Sequence, residues 1–188
     1  MAKEKSRKKV GIMKEVGLPE GVSASLNELV LTIKGPHGES KRMLKKQSIS
    51  IKIVSNKITF ESEKATKENK KMIGSLEAHV KNMIKGSIHG HTYILKICSG
   101  HFPMNVSISG NKLHVKNFLG EKVPRVLQLK EGADVKVDGS AIHVTSPSKE
   151  IAGQVSADIE KLTRRPGFDT RIFQDGIYIT TKDGRELK

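Results

Sequence analysis

The chain carries one sequence pattern twice, and this repeat constrains its fold more than any other feature. The segment LPEGVSAS, starting at Leu18, returns 84 positions later as FPMNVSIS, starting at Phe102. The same offset aligns four apolar pairs: Leu29 with Leu113, Leu31 with Val115, Ile58 with Ile142 and Phe60 with Val144. A period of this length exceeds the roughly 20–50 residues of a solenoid repeat, so it predicts a duplicated domain.

Each copy combines strand-like alternation with a later helical stretch. In the first copy, strands are predicted around the Asn27 turn and at 49–53 and 57–60, before a helix over 64–83 that ends at Gly86. In the second, strands are predicted at 105–109, 112–117, 133–137 and 141–145, before a helix from Ser148 and a last strand at 177–180. The pattern therefore predicts an α+β fold of two tandem duplicated domains, each an antiparallel sheet packed with one main helix.

Four segments follow from this pattern. We expect a basic N-terminal extension over residues 1–15 and a first α+β repeat over 16–86. A second repeat follows over 87–180, opening with a junction strand within 87–100, and a polar C-terminal tail covers 181–188.

The charge of the chain indicates its class of partner. Its 34 Lys and Arg against 20 Asp and Glu give a net charge of +14 and a pI of about 9.9. Such an excess favours a polyanion, most often nucleic acid, with an anionic membrane surface as the alternative. We expect no spanning helix and no signal peptide, and the single cysteine, Cys98, indicates a reducing, intracellular compartment.

Catalytic and metal-binding motifs are weakly represented. The sequence has no phosphate-binding loop, no dinucleotide fingerprint and no zinc-protease or serine-hydrolase motif. The best metal-ligand set is His89, His91, Cys98 and His101, which lacks the tight paired spacing of structural zinc sites. Cys98 has no evident base to make it a nucleophile. We expect no enzyme, cofactor, metal or small-molecule substrate; an enzyme with its cleft between the copies is the alternative from a different class.

Aromatic residues are scarce, at 4% of the chain, and none lies in an aromatic-rich strand. Stacking platforms for splayed single-stranded bases should therefore be few. Abundant lysines, serines and threonines instead favour contacts to the sugar-phosphate backbone of folded RNA. A free-standing nucleic-acid or membrane binder remains the third possibility.

Several longer segments resemble one known family. These are HVKNMIKG at 79–86, HFPMNV at 101–106, NFLGEK at 117–122 and DTRIFQDGIYI at 169–179. They are similar to the eukaryotic form of the universal large-subunit ribosomal protein six, and the likeness covers about residues 16–180. The family usually has arginine in the Gly-Pro-x-Gly turn where this chain has His37.

The resemblance implies a structural rRNA-binding protein of the large ribosomal subunit, near the sarcin–ricin loop and the translation-factor centre. It also implies neighbouring ribosomal proteins at the stalk base, and a cytoplasmic location after nuclear and nucleolar passage. The side chains expected to contact rRNA phosphates are Lys85, His91, Lys96, Lys122, Arg164, Arg165 and Arg171.

Three glycines, Gly86, Gly90 and Gly120, are expected to allow close backbone approach or positive φ. Alternatives to the RNA contacts stay open for some of the cations. Lys96 and Lys122 would otherwise be solvent-facing strand residues, and Arg171 would otherwise form a salt bridge to Asp169 or Asp175.

Overall fold

The chain divides into two units, Met1–Ile88 and His89–Lys188. The structure is a computed structural model that describes residues 11–44, 49–54, 56–100, 102–169 and 171–187. Most of the predicted N-terminal extension, and His101 of the candidate metal set, lie outside the described residues.

The first unit contains six strands and one long helix in the described residues. They are β1 (Ile12–Gly17), β2 (Ser23–Asn27), β3 (Val30–Gly35), β4 (Gly38–Met43), β5 (Ser50–Val54), β6 (Lys57–Ser62) and α1 (Lys67–His89). The strands form two antiparallel three-stranded sheets, with orders β1-β6-β5 and β2-β3-β4.

The second unit repeats this plan and extends it. Its elements are β7 (His91–Cys98), β8 (Asn105–Ser109), β9 (Lys112–Lys116), the 3-10 turn Phe118–Gly120, β10 (Arg125–Gln128), β11 (Asp134–Asp138), β12 (Ala141–Ser146), α2 (Lys149–Leu162), β13 (Gly176–Lys182) and β14 (Arg185–Glu186). The sheets have orders β10-β9-β8 and β11-β12-β7-β13-β14.

Strand order confirms the duplicated α+β fold. The order β1-β6-β5 corresponds to β7-β12-β11, and β2-β3-β4 corresponds to β8-β9-β10. The second unit adds β13 beside β7, and β14 beside β13. The sequence did not predict β1, β4, β10 or β14, which are edge strands with weak apolar alternation, and of which β10 and β14 are also short.

The offset of 84 residues is correct for one hairpin of the repeat and wrong for the other. In the β5–β6 hairpin it aligns Phe60 with Val144, and both are fully buried. In the first hairpin, the turn between Asn27 and Val30 corresponds to the turn between Ser109 and Lys112, an offset of 82.

The alignment of Leu29 with Leu113 and of Leu31 with Val115 is therefore corrected. Leu29 lies in a turn and is 39% exposed, whereas Leu113 is fully buried and corresponds to Leu31. Side chains of a strand alternate with a period of two, so a shift of two residues leaves the apolar pattern unchanged. The pattern alone could not detect the error.

Each unit buries the apolar stripe of its helix in one core. In the first unit, Ile73 and Val80 of α1 join the buried strand residues Leu31, Ile33 and Phe60. In the second unit, the core combines residues of α2 with residues of the five-stranded sheet. They are Ala152, Val155 and Ile159 from α2, and Tyr93, Leu95, Ile142, Val144 and Ile177 from the sheet. The burial of α1 and of α2 in these cores fixes where the ends of each helix lie.

Three predicted boundaries differ from the structure. Helix α1 continues through Gly86 to His89, so Gly86 is a buried helical residue and not the C-cap. Strand β1 begins at Ile12, inside the predicted extension. The predicted C-terminal tail contains the end of β13 and the short strand β14, which form an antiparallel hairpin.

Gly35 provides a test of packing in the first unit. A Cβ atom at this position would lie 2.6 Å from the backbone oxygen of Ser87 in α1. The adjacent turn also docks on the helix, because the His37 amide donates to that same oxygen at 2.9 Å. We expect Gly35→Ala to lower the free energy of unfolding by roughly 1–3 kcal/mol, measured by urea denaturation.

Gly74 is the matched control for this substitution. It lies within α1 with no atom within 4 Å of its would-be Cβ. Gly74→Ala should raise stability by roughly 0.5–1 kcal/mol, because alanine restricts the unfolded chain and favours helix. Equal effects from the two variants would contradict the packing of the Gly35 turn on α1.

An ion-pair network on the first unit predicts a pH effect. Lys14 of β1 and Lys81 of α1 both donate to the carboxylate of Glu77. These two hydrogen bonds lower the pKa of Glu77 to about 2, and the bond from Lys14 has the larger effect. Because the folded pKa lies below the unfolded one, the stabilisation is complete above about pH 4.5 and is lost as the pH falls towards 2.

A carboxyl NMR titration should place the Glu77 midpoint near 2. Lys14→Met should raise that midpoint towards the ordinary value for glutamate, whereas Lys41→Met, which removes a partner of Glu39, should leave it in place. An ordinary midpoint in the unmodified chain would contradict the network.

Candidate RNA-binding surface

The second unit ties the C-terminal end of α2 to β13 by two side chains. Thr163 is buried, and its hydroxyl accepts the amide of Ile177 at 2.9 Å and donates to the carbonyl of Glu160 at 3.2 Å. The Glu160 carboxylate accepts the amide of Ile179 at 3.2 Å. The chain between α2 and β13 is therefore held at both ends. We call its described part, residues 164–169 and 171–175, the arginine loop.

The arginine loop presents cations and aromatic rings to solvent together. Arg164, Arg165 and Arg171 are exposed. The Arg165 guanidinium lies 4.2 Å from the centroid of the Phe168 ring, a cation–π contact. Phe168 also packs edge-to-face on Phe173, with centroids 4.9 Å apart and ring planes at 81°. The rings are 39% and 45% exposed, so they cover the surface without forming a core.

A cleft of about 620 Å³ opens between the arginine loop, α2 and the 3-10 turn. Its lining includes four aromatic residues, which are Phe118, Phe168, Phe173 and Tyr178. It also includes three basic residues, Lys161, Arg164 and Arg165, and two carboxylates, Glu160 and Asp175. We call this feature the aromatic cleft.

The charged side chains of the cleft differ in exposure. Its basic residues are exposed, whereas Glu160 and Asp175 are partly buried. Burial raises the pKa of the Tyr178 hydroxyl, and the nearby Cys98, Asp175 and Glu160 raise it further. The cleft therefore combines exposed cations with partly buried carboxylates and a protonated tyrosine hydroxyl.

Arg125 fixes the 3-10 turn beside this cleft. Its guanidinium lies over the Phe118 ring at 4.4 Å and binds both oxygens of Glu121, at 2.8 and 2.6 Å. A third bond, 2.7 Å long, joins it to the carbonyl of Leu162 at the end of α2. These bonds to Glu121 and Leu162 make Arg125 a structural cation, and the Glu121 hydrogen bond also raises the pKa of Arg125.

Arg171 forms the salt bridge that the sequence left as an alternative. Its guanidinium binds both oxygens of Asp169, the closest contact being 2.8 Å, and this hydrogen bonding lowers the pKa of Asp169. The Arg171 side chain is nevertheless 88% exposed. Solvent screens an exposed ion pair strongly, so the pair orients Arg171 and leaves its guanidinium accessible.

The structure brings some of the predicted cations together and separates others. Arg164, Arg165 and Arg171 share the arginine loop. Lys96 is an exposed residue of β7 whose partner on β13 is Tyr178, so both side chains leave the same face of the sheet. Lys122 is exposed in the loop after the 3-10 turn, not in a strand. Lys85 is exposed on α1 and belongs to the first unit.

His91 is corrected as an RNA contact. Its side chain is completely buried at the start of β7, and its Nδ1 lies 3.1 Å from Oδ1 of Asp183. Asp183 lies in the turn between β13 and β14, and its amide donates to the carbonyl of Thr92. His91 therefore anchors the C-terminal hairpin to β7 and does not reach a surface ligand.

The three predicted glycines differ in conformation. Gly90 and Gly120 have positive φ, at 72° and 77°. Gly90 lies between α1 and β7, where the left-handed conformation ends the helix. A Cβ at Gly120 would contact the Phe102 ring at 3.6 Å. Gly86 lies inside α1, as described above, and a role for these glycines in RNA approach stays a prediction.

The sequence analysis missed the aromatic cleft. Judged by composition, stacking platforms were expected to be few, yet four of the seven Phe and Tyr residues line one cleft. A local signal was present, because Phe168, Phe173 and Tyr178 lie within eleven residues, interleaved with Arg171. A whole-chain percentage averages such a local concentration away.

The described part of the chain offers neither a metal cluster nor a membrane-spanning helix. Across the described residues, no group of three or more His, Cys, Asp and Glu side chains is placed to share a metal ion. Within the same part of the chain, no helix has the length and apolar character needed to cross a membrane.

Comparisons with known proteins agree with the repeat. The model of the family described as ribosomal protein L6 matches twice, at residues 18–87 and 102–176. Large ribosomal subunit protein uL6 of Methanococcus vannielii is 42% identical over 176 residues, which cover 94% of this chain and 97% of the relative. The uL6 protein of Methanosarcina mazei is 42% identical, and the match covers 91% of this chain and 97% of the relative. The uL6 protein of Haloquadratum walsbyi is 40% identical, and the match covers 89% of this chain and 94% of the relative. The chain therefore belongs to the ribosomal protein L6 family, as its motifs indicated.

Proposed function

We propose that this chain is a structural, non-enzymatic component of the large ribosomal subunit that binds rRNA through its second unit. The observation that carries the proposal is the arginine loop, which holds three exposed arginines on a segment fixed at both ends by Thr163 and Glu160. Family membership supports it, because the relatives are named as large-subunit proteins.

The chemistry of the loop suits a phosphate backbone. Arginine presents a planar fork of donors that matches phosphate oxygens and keeps its charge at any physiological pH. Clustered arginines displace counterions from the nucleic acid, which gives affinity without reading a base sequence. The loop thus serves as a positioning contact on folded RNA.

A finer placement rests on the family resemblance. We place the contact near the sarcin–ricin loop and the translation-factor centre, with neighbouring large-subunit proteins at the stalk base. The protein would act on cytoplasmic ribosomes after passing through the nucleolus during assembly. Lys96 and Lys122 would extend the phosphate contact of the second unit, and Lys85 would supply one from α1.

An enzymatic function has no support from the cleft. Both of its carboxylates are engaged with backbone amides, Glu160 with Ile179 and Asp175 with Gly100. Among the described residues, no histidine, cysteine or serine lines the cleft with them, and the Thr163 hydroxyl is engaged with the Ile177 amide and the Glu160 carbonyl. These carboxylates hold the backbone in place, so a structural role accounts for them.

The salt dependence of rRNA binding tests the proposal. Arg171→Gln removes one exposed cation and leaves the fold unaffected, because the side chain is on the surface. We expect weaker binding of the purified chain to transcribed large-subunit rRNA. The slope of log affinity against log salt should also become shallower by about 0.7–0.9, the value for one lost phosphate contact.

Arg185→Gln is the matched control, since Arg185 is an exposed arginine of the same unit on β14, outside the arginine loop. For Arg185→Gln, the slope of log affinity against log salt should equal that of the unmodified chain. Identical losses from the two substitutions would show only a general charge effect, and an unchanged slope for Arg171→Gln would remove the loop from the interface.

A further inference from the structure

We propose that the aromatic cleft receives one unstacked nucleobase of the bound RNA. This inference rests on the proposed function and adds to it a subsite for a base, next to the phosphate contacts of the arginine loop. Four observations carry it: the size of the cleft, its aromatic walls, its stacked arginine and the sign of its charges.

The size and the walls fit a flat aromatic ligand. The volume of about 620 Å³ lies within the roughly 300–1,000 Å³ typical of small-ligand sites. Phe173 offers a ring that is 45% exposed at the cleft. The Arg165–Phe168 pair adds a layered surface, with the guanidinium 4.2 Å from the ring centroid. Aromatic rings and guanidinium planes are the surfaces on which proteins stack splayed RNA bases.

The charges favour a base over a phosphate beside the two carboxylates of the cleft. The partly buried carboxylates of Glu160 and Asp175 would repel a phosphate placed next to them. The amino and imino groups of a base are hydrogen-bond donors, which carboxylates accept. Lys161, Arg164 and Arg165 also line the cleft and are exposed, so they suit the phosphate attached to the same nucleotide.

The arrangement is also prepared before any ligand binds. Phe168 and Phe173 already contact each other edge-to-face, and the Phe173 amide donates to the carbonyl of Asp169 at 2.9 Å. Thr163 and Glu160 hold the two ends of the loop on β13. A platform fixed in this way loses less conformational entropy on binding than one that must order.

Phe173→Leu is the direct test, because leucine keeps an apolar side chain and removes the aromatic face. Binding of the full chain to transcribed large-subunit rRNA should weaken by about 5-fold or more. Phe173→Tyr keeps an aromatic face at this position, so it should bind the rRNA as the unmodified chain does. Ultraviolet cross-linking with mass spectrometry should find a nucleotide adduct on the peptide containing residues 166–178. This adduct should disappear in Phe173→Leu.

Two controls separate stacking from folding and from charge. Phe102→Leu changes a ring of similar exposure, 43%, that does not line the cleft, and should leave both readouts unchanged. A perfectly paired RNA duplex offers no unstacked base, so it should bind Phe173→Leu and the unmodified chain equally. Arg171→Gln should weaken binding to the rRNA and to the duplex alike.

The outcomes distinguish this inference from the proposed function. An unmodified chain that ignores large-subunit rRNA would overturn the proposed function itself. A chain that binds rRNA with the same affinity after Phe173→Leu, and gives no adduct on residues 166–178, would overturn the base site alone. A Phe173→Tyr variant that folds normally but binds as weakly as Phe173→Leu would also overturn it.

Discussion

The packing of α2 against the five-stranded sheet is the interaction on which the RNA-binding surface depends. Ala152, Val155 and Ile159 are buried against strands of that sheet, and this burial fixes where the helix ends. At that end, Thr163 and Glu160 bond the amides of β13. A loop with arginines and exposed phenylalanines would have no defined shape if it were held at one end only. The apolar core thus determines the geometry of a polar surface some distance along the chain.

Net charge indicates the kind of partner but not the place where it binds. Residues 1–88 contain nineteen Lys and Arg against nine Asp and Glu, whereas residues 89–188 contain fifteen against eleven. The more basic half therefore lacks the arginine loop. Many first-unit lysines pair with acids, as Lys14 and Lys81 do with Glu77. In the loop, three exposed arginines stand beside two acids, Asp169 and Asp175, over a short fixed segment. Local geometry, and not total charge, selects the surface.

The fold was largely predictable because apolar alternation and helical periodicity both recur in the duplicated halves. The helix start at Ser148 was right, as its hydroxyl accepts the Ile151 amide at 3.5 Å. The two-residue shift of the first hairpin was invisible because strand patterns repeat every two residues. Burial of His91 was equally hidden, since its partner Asp183 is 92 positions away. The aromatic cleft was missed for a related reason, because Phe118 joins rings from another part of the sequence only in the folded unit.

The central claim is that this chain is a resident of the large ribosomal subunit, held by contacts to folded rRNA. Sedimentation of a tagged copy through a sucrose gradient after a high-salt wash tests it most directly. Co-migration with the large subunit, and release only when the rRNA is digested, is the predicted result. A tagged protein that remains at the top of the gradient, apart from both ribosomal subunits, would contradict it.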